Sequence, residues 1–258
     1  MRRGLLSAPR EKFCPMDMQS FYQELDAAAA LGDAGALERF LVRSLTDADG
    51  RKAYGDYAAI AQEMVRFYQL TGQFDKAEAA SNDLLLLLEE LGMEDSAYFA
   101  AVLMNHANGY RDAGKLDDAE NFYERSVRTA GAAADAEPSL FGAIWANRGI
   151  AWLMTKRARE AEAAFREAAG IFENNGLKTD PLYISALAGI GEALVMEGDY
   201  PNALASYERA KDEVLAQDGK GRSYALLLDN CAAVADRMND TVSAAEYREE
   251  ASRVRNSS

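Results

Sequence analysis

A pattern of large and small residues recurs every 42 positions, and that period limits what the chain can fold into more than any other feature. In residues 100–126, Leu103, His106, Ala107 and Tyr110 follow one another at three- and four-residue steps, on one face of a helix. Gly114 interrupts the pattern. Leu116, Ala119 and Tyr123 open a second helical face, with Asp117 and Asp118 at its N-terminal end, where acids favour the helix dipole. Small Ala107 and Ala119 let the two helices approach closely. A step of 42 brings Leu103, Ala107, Tyr110, Ala119, Tyr123 and Ser126 onto Trp145, Gly149, Trp152, Ala161, Phe165 and Ala168. A second step gives Leu187, Gly191, Leu194, Ala203, Tyr207 and Ala210, and one step back gives Ala61, Val65, Tyr68, Ala77, Ser81 and Leu84. A last step of 41 reaches Leu228, Ala232, Ala235, Ala244, Arg248 and Ala251. One such hairpin cannot bury its apolar face alone; stacked copies can.

These residues resemble the tetratricopeptide repeat, most closely at 145–152 (WANRGIAW) and 198–207 (GDYPNALASY). Gly72, Gly114 and Gly198 occupy its turn glycine, which Lys156 and Asn239 replace in the other two copies. The family's usual period is about 34 residues. A 42-residue period adds about one turn to each helix and is similar to the kinesin-light-chain type, which is common in bacterial proteins. The resemblance implies an all-α fold, a right-handed α-solenoid of about six antiparallel helical hairpins.

The expected organisation has three parts. Residues 1–16 are read as a disordered leader. Arg10–Glu11 matches a purine-rich codon pair ahead of Met16 and Met18, so a start at either methionine is the second reading. Residues 17–57 form a degenerate hairpin, in which Phe21, Leu25 and Ala28 face Leu37 and Leu41, followed by a polar break over 46–55. Asp47 and Asp49 hint at a calcium loop, but the pattern lacks its third ligand, and a plain loop is preferred. Residues 58–256 hold five hairpins of one continuous solenoid, the last helix being polar and acting as a cap.

Composition excludes several functions. The net charge is −14; the first 17 residues carry four basic and two acidic groups, which leaves −16 from Met18 onward. Such a body repels phosphate, so neither nucleic acid nor an anionic membrane is expected as a ligand. Cys14 and Cys231 form no disulfide framework. No apolar run reaches transmembrane length. A cytoplasmic location is expected.

No catalytic constellation is present, so no enzymatic activity, cofactor or metal is expected. The single histidine, His106, shares its repeat position with Met64, Arg148, Ile190 and Cys231 and reads as packing. Two cysteines and one histidine make no structural zinc site. Gly189 and Gly191 lack the third glycine of a dinucleotide loop. Tyr68, Tyr110, Trp152, Phe165 and Tyr207 are spaced as core residues. The run Leu84 to Leu88 is assigned to internal packing, with Leu86 the most exposed, and a homodimer through this helix is the second reading.

A groove remains. The resemblance implies that fixed positions of each first helix line a concave face. They put Asn105, Asn108, Arg111, Asn147, Ile150, Met154, Glu192, Met196 and Asn230 forward as a peptide-binding surface. Asn105, Asn147 and Asn230 are equivalent, and each amide offers donors and an acceptor to a peptide backbone. Arg66, Arg111 and Arg148 are too few for the carboxylate-binding variant of the groove. The expected function is a non-catalytic scaffold binding a protein or peptide. A peptide-responsive sensor subunit and an accessory subunit of an enzyme complex are the alternatives. No room is expected for a helix-turn-helix module.

Overall fold

A computed structural model describes residues 17–257. The expected leader, residues 1–16 with Cys14, lies outside the described residues. Among these there are twelve helices and no strand. They form helix pairs in chain order: α1 (Met18–Ala30) and α2 (Ala34–Arg51), α3 (Tyr54–Leu70) and α4 (Phe74–Glu90), α5 (Ala97–Asp112) and α6 (Leu116–Ala132). Then follow α7 (Pro138–Met154) and α8 (Ala158–Asn174), α9 (Pro181–Glu197) and α10 (Tyr200–Gln217), α11 (Arg222–Arg237) and α12 (Thr241–Ser257). Second helices α4, α6, α8 and α10 start 42 residues apart.

Local chemistry starts and stops these helices. The carboxylates of Asp33 and Asp180 accept from Ala36 N at 2.9 Å and Leu182 N at 2.9 Å, and Ser96 Oγ accepts from Phe99 N at 3.1 Å. Each satisfies an orphan donor of a first turn. Pro138 and Pro181 occupy the first turns of α7 and α9, where a missing N–H costs nothing. The turn from α9 to α10 needs a left-handed residue and has Gly198 at φ +82. Lys156 and Asn239 take the equivalent conformation at φ +60 without being glycine.

The expected polar break over 46–55 is a helix instead. α2 continues to Arg51, and only Lys52 and Ala53 separate it from α3. Arg51 lies one turn after Asp47, and its Nε donates to that carboxylate at 2.8 Å while Nη1 reaches Asp56 at 3.3 Å. Of the acids that hinted at a calcium loop, Asp47 is tied within the helix to Arg51.

The chain divides into two compact units at Leu87/Leu88. The first packs Phe21, Leu41, Ile60, Met64, Val65 and Tyr68 together, with Phe21 stacked on Phe40 at 5.5 Å. Glu38 on α2 joins two later helices, accepting from Tyr68 Oη at 3.0 Å and Lys76 Nζ at 2.8 Å. Of the leucines 84–88, only Leu86 is exposed.

In the second unit each helix packs on its neighbours in sequence, and first helix α7 also touches first helices α5 and α9. The core runs through Ala161, Phe165, Phe172, Tyr183, Leu187, Ala203, Leu228 and Cys231. Backbones approach so closely that aromatic rings rest on glycine. A Cβ on Gly189 would fall 2.6 Å from the Phe165 ring, and one on Gly149 2.8 Å from it.

Candidate functional site

The residues that the sequence nominates for the groove all lie in the second unit, and they separate into a closed group and an open one. The closed group surrounds Arg111 at the end of α5. Its Nη1 donates to Asn108 Oδ1 at 3.3 Å, to Tyr123 Oη at 3.3 Å and to Asn147 Oδ1 at 3.1 Å. Its Nε donates to Asp112 Oδ1 at 2.9 Å. Tyr123 Oη donates to Asn108 Oδ1 at 2.6 Å. Asn147 Nδ2 donates to Ala143 O at 2.9 Å and faces Met104 Sδ at 3.9 Å. The amide of Asn147, expected to hold a peptide main chain, thus has its acceptor and a donor engaged inside the protein. Tyr123 is fully buried, and burial, the largest effect, pushes its phenol well above the usual range. Asn105 sits half-buried on α5.

The open group borders a cavity of about 430 Å³ between α7, α9 and α11, floored by Phe165 and Tyr207. That lies within the range of roughly 300–1,000 Å³ typical of ligand sites. Ile150, Leu153, Met154 and Ala188 make an apolar wall. Ile150 and Met154 are exposed despite their size, Met154 at 51%. Met196, also exposed, does not line the cavity. Ser185, Glu192, Tyr207 and Asn230 supply the polar atoms. Ser185 Oγ donates to Pro181 O. Glu192 makes no ion pair or hydrogen bond among the described residues, and neither the Tyr207 hydroxyl nor the Asn230 amide has a partner there. Tyr207 is 94% buried, since only 6% of its surface is exposed. Burial first, and then the Glu192 carboxylate, push its phenol well above the usual range.

The two groups occupy the same places in the repeat. Asn108, Arg111 and Tyr123 become Glu192, Val195 and Tyr207 two hairpins later, 84 residues on, and Asn147 becomes Asn230. The second copy keeps three acceptors and lacks the cation that the first places among them. Sequence reasoning assigned Tyr207 to the core and missed its hydroxyl. The alternation Tyr123, Phe165, Tyr207 at one repeat position was the signal that could have found it.

The other residues considered for chemistry lie outside these two groups. His106 is buried edge-on to Tyr110 and Phe122, with ring centroids 4.8 and 4.3 Å away. Cys231 is buried, and burial holds its thiol up at about 12, far from thiolate reactivity. Arg148, once a candidate for binding carboxylate, holds Glu120 at 2.6 Å and lies over the Trp152 ring at 4.5 Å. Arg66 lies 3.6 Å from Glu63. Among the described residues no group of three or more His, Cys, Asp or Glu is placed to hold a metal, and no helix is long and apolar enough to cross a membrane.

Comparison with known proteins agrees with this geometry. Residues 56–131 match the family model described as tetratricopeptide repeat. No curated protein matches the sequence. Among solved structures, the chain is similar to BtubC (BKLC) from P. vanneervenii, with a TM-score of 0.75 and 18% identity over 92% of each chain. It is similar to the nearly identical TPR-like repeats of a putative kinesin light chain from Podosopora anserina, with a TM-score of 0.65 and 17% identity over 76% of this chain and 93% of that one. It also resembles part of a signal transduction ATPase with a tetratricopeptide repeat sensor from Pyrococcus horikoshii. There the TM-score is 0.72 and the identity 14%, over 93% of this chain and 36% of that one. At these identities the likeness is one of fold.

Proposed function

We propose that this chain of tetratricopeptide repeats is a non-catalytic, cytoplasmic scaffold that binds a protein or peptide segment on the face formed by α7, α9 and α11. One observation carries the reading: the cavity there combines exposed apolar side chains, Ile150 and Met154, with polar groups that have no partner among the described residues, Glu192, Tyr207 and Asn230. On α5 and α7 the polar groups of Arg111, Asn108 and Asn147 are engaged with one another, so the open stretch is where an extended ligand gains most. Arrays of short synthetic peptides provide the test. The double variant Ile150→Glu/Met154→Glu should lose the peptides that wild type retains, whereas Leu86→Glu, exposed in the other unit, should keep them. Retention by the double variant would place the binding surface elsewhere. Native purification separates the two ways of using such a surface: a stable protein partner fits a scaffold, and a tightly held small peptide fits a sensor.

A further inference from the structure

We infer that the cavity between α7, α9 and α11 is a receptor for an arginine side chain supplied by the bound partner, an assignment that rests on the peptide-binding reading of the same face. The protein itself contains the filled version of this site. Around Arg111 the guanidinium donates to an amide oxygen of Asn108, the phenol of Tyr123 and an amide oxygen of Asn147. Two hairpins later the equivalents are Glu192, Tyr207 and Asn230, and Val195 stands where the arginine was. Three acceptors remain around a cavity, and none of its lining residues is cationic.

The differences between the two copies favour an external cation over an empty space. Asn108, a neutral acceptor, becomes the carboxylate Glu192, which strengthens the pull on a guanidinium. The Tyr207 ring is buried in the floor, while its hydroxyl, which has no partner among the described residues, is not shut away from solvent, so a guanidinium can reach it as an acceptor. The apolar wall of Ile150, Leu153 and Met154 suits the methylene stem of an arginine, whose head reaches the polar end. A chain of net charge −14 attracts a basic segment and lowers the cost of bringing one in.

The test uses N-acetylated, C-amidated hexapeptides with one arginine between apolar residues, each paired with the same peptide carrying citrulline, which keeps the shape and removes the charge. Wild type should bind the arginine forms about tenfold or more tightly than the citrulline forms, a difference of about 1.4 kcal/mol. Glu192→Gln changes an exposed side chain, so the fold should hold, and the preference should vanish while citrulline peptides bind as before. Val195→Arg should restore the internal cation and abolish the preference by filling the site. Equal binding of arginine and citrulline forms, or a preference surviving in Glu192→Gln, would each overturn the arginine receptor and leave the peptide groove standing. No binding of any peptide, or binding indifferent to Ile150→Glu/Met154→Glu, would remove both.

Discussion

Asn147 on α7 accepts a hydrogen bond from Arg111 on α5 at 3.1 Å, and this bond joins two successive hairpins. The asparagine thus has its oxygen and one amide hydrogen engaged within the protein. Arg111 is mostly buried, with 14% of its side chain exposed, so it cannot easily exchange the lost acceptor for water. Asn147→Ala should destabilise the protein by about 1.5–3 kcal/mol, the worth of a hydrogen bond to a charged group. Denaturant melts measure this, and peptide affinity should barely change. A variant as stable as wild type with weakened peptide binding would return Asn147 to the binding surface.

The fold was readable because packing repeats. Ala107 and Ala119, Gly149 and Ala161, and Gly191 and Ala203 mark where helices approach, and each period restates the constraint. Lys156 and Asn239 were read as standing at turn-glycine positions, and both have positive φ. The site was harder to read, because residue type does not say where a polar atom finds its partner. Asn147 and Asn230 look identical in sequence, yet one meets Arg111 and the other faces a cavity whose equivalent position is Val195. The extension of α2 through Arg51 was missed for a related reason. A run rich in Asp and Gly reads as a loop until Asp47 and Asp56 are seen sharing Arg51.

Phe165 lies against two glycines, so methyl groups there should be costly. Gly189→Ala puts a carbon 2.6 Å from the ring and should destabilise by about 1–3 kcal/mol through overpacking. Phe165→Leu in the same background should recover part of the loss, which a double-mutant cycle would measure. Strict additivity would mean that the ring is not what Gly189 accommodates.

Lys156 holds a left-handed conformation that costs a side-chain-bearing residue about 1–2 kcal/mol. Lys156→Gly removes that cost and adds some unfolded-state entropy, for a net gain of about 0.5–1 kcal/mol in chemical denaturation. Gly198→Lys, at φ +82, should lose a similar amount. Loss of stability in Lys156→Gly would mean that the lysine side chain contributes more than its backbone costs.

Tyr68, Tyr183 and Tyr224 are each pushed up to about 12. Burial is the main cause in all three. The carboxylates of Glu38, Glu173 and Glu250 add to it, and Arg209 opposes it at Tyr183. The folded state favours the neutral phenol, so this contribution is complete below the unfolded value of about 10 and is lost as pH rises through about 12. Denaturant midpoints should hold to about pH 9 and fall steeply between about 10 and 12, together with phenolate absorbance. Tyrosines that ionise near pH 10 without loss of structure would contradict this.

The most direct measurement is methyl NMR of the side chains that should meet the ligand. With Ile and Met methyls labelled, the tightest-binding array peptide is titrated into the full chain. The methyls of Ile150 and Met154, exposed beside the cavity, should shift together and saturate, while buried Met64 and Ile60 stay in place. A peptide that binds to saturation and leaves Ile150 and Met154 unmoved would contradict the assignment of the α7–α9–α11 face.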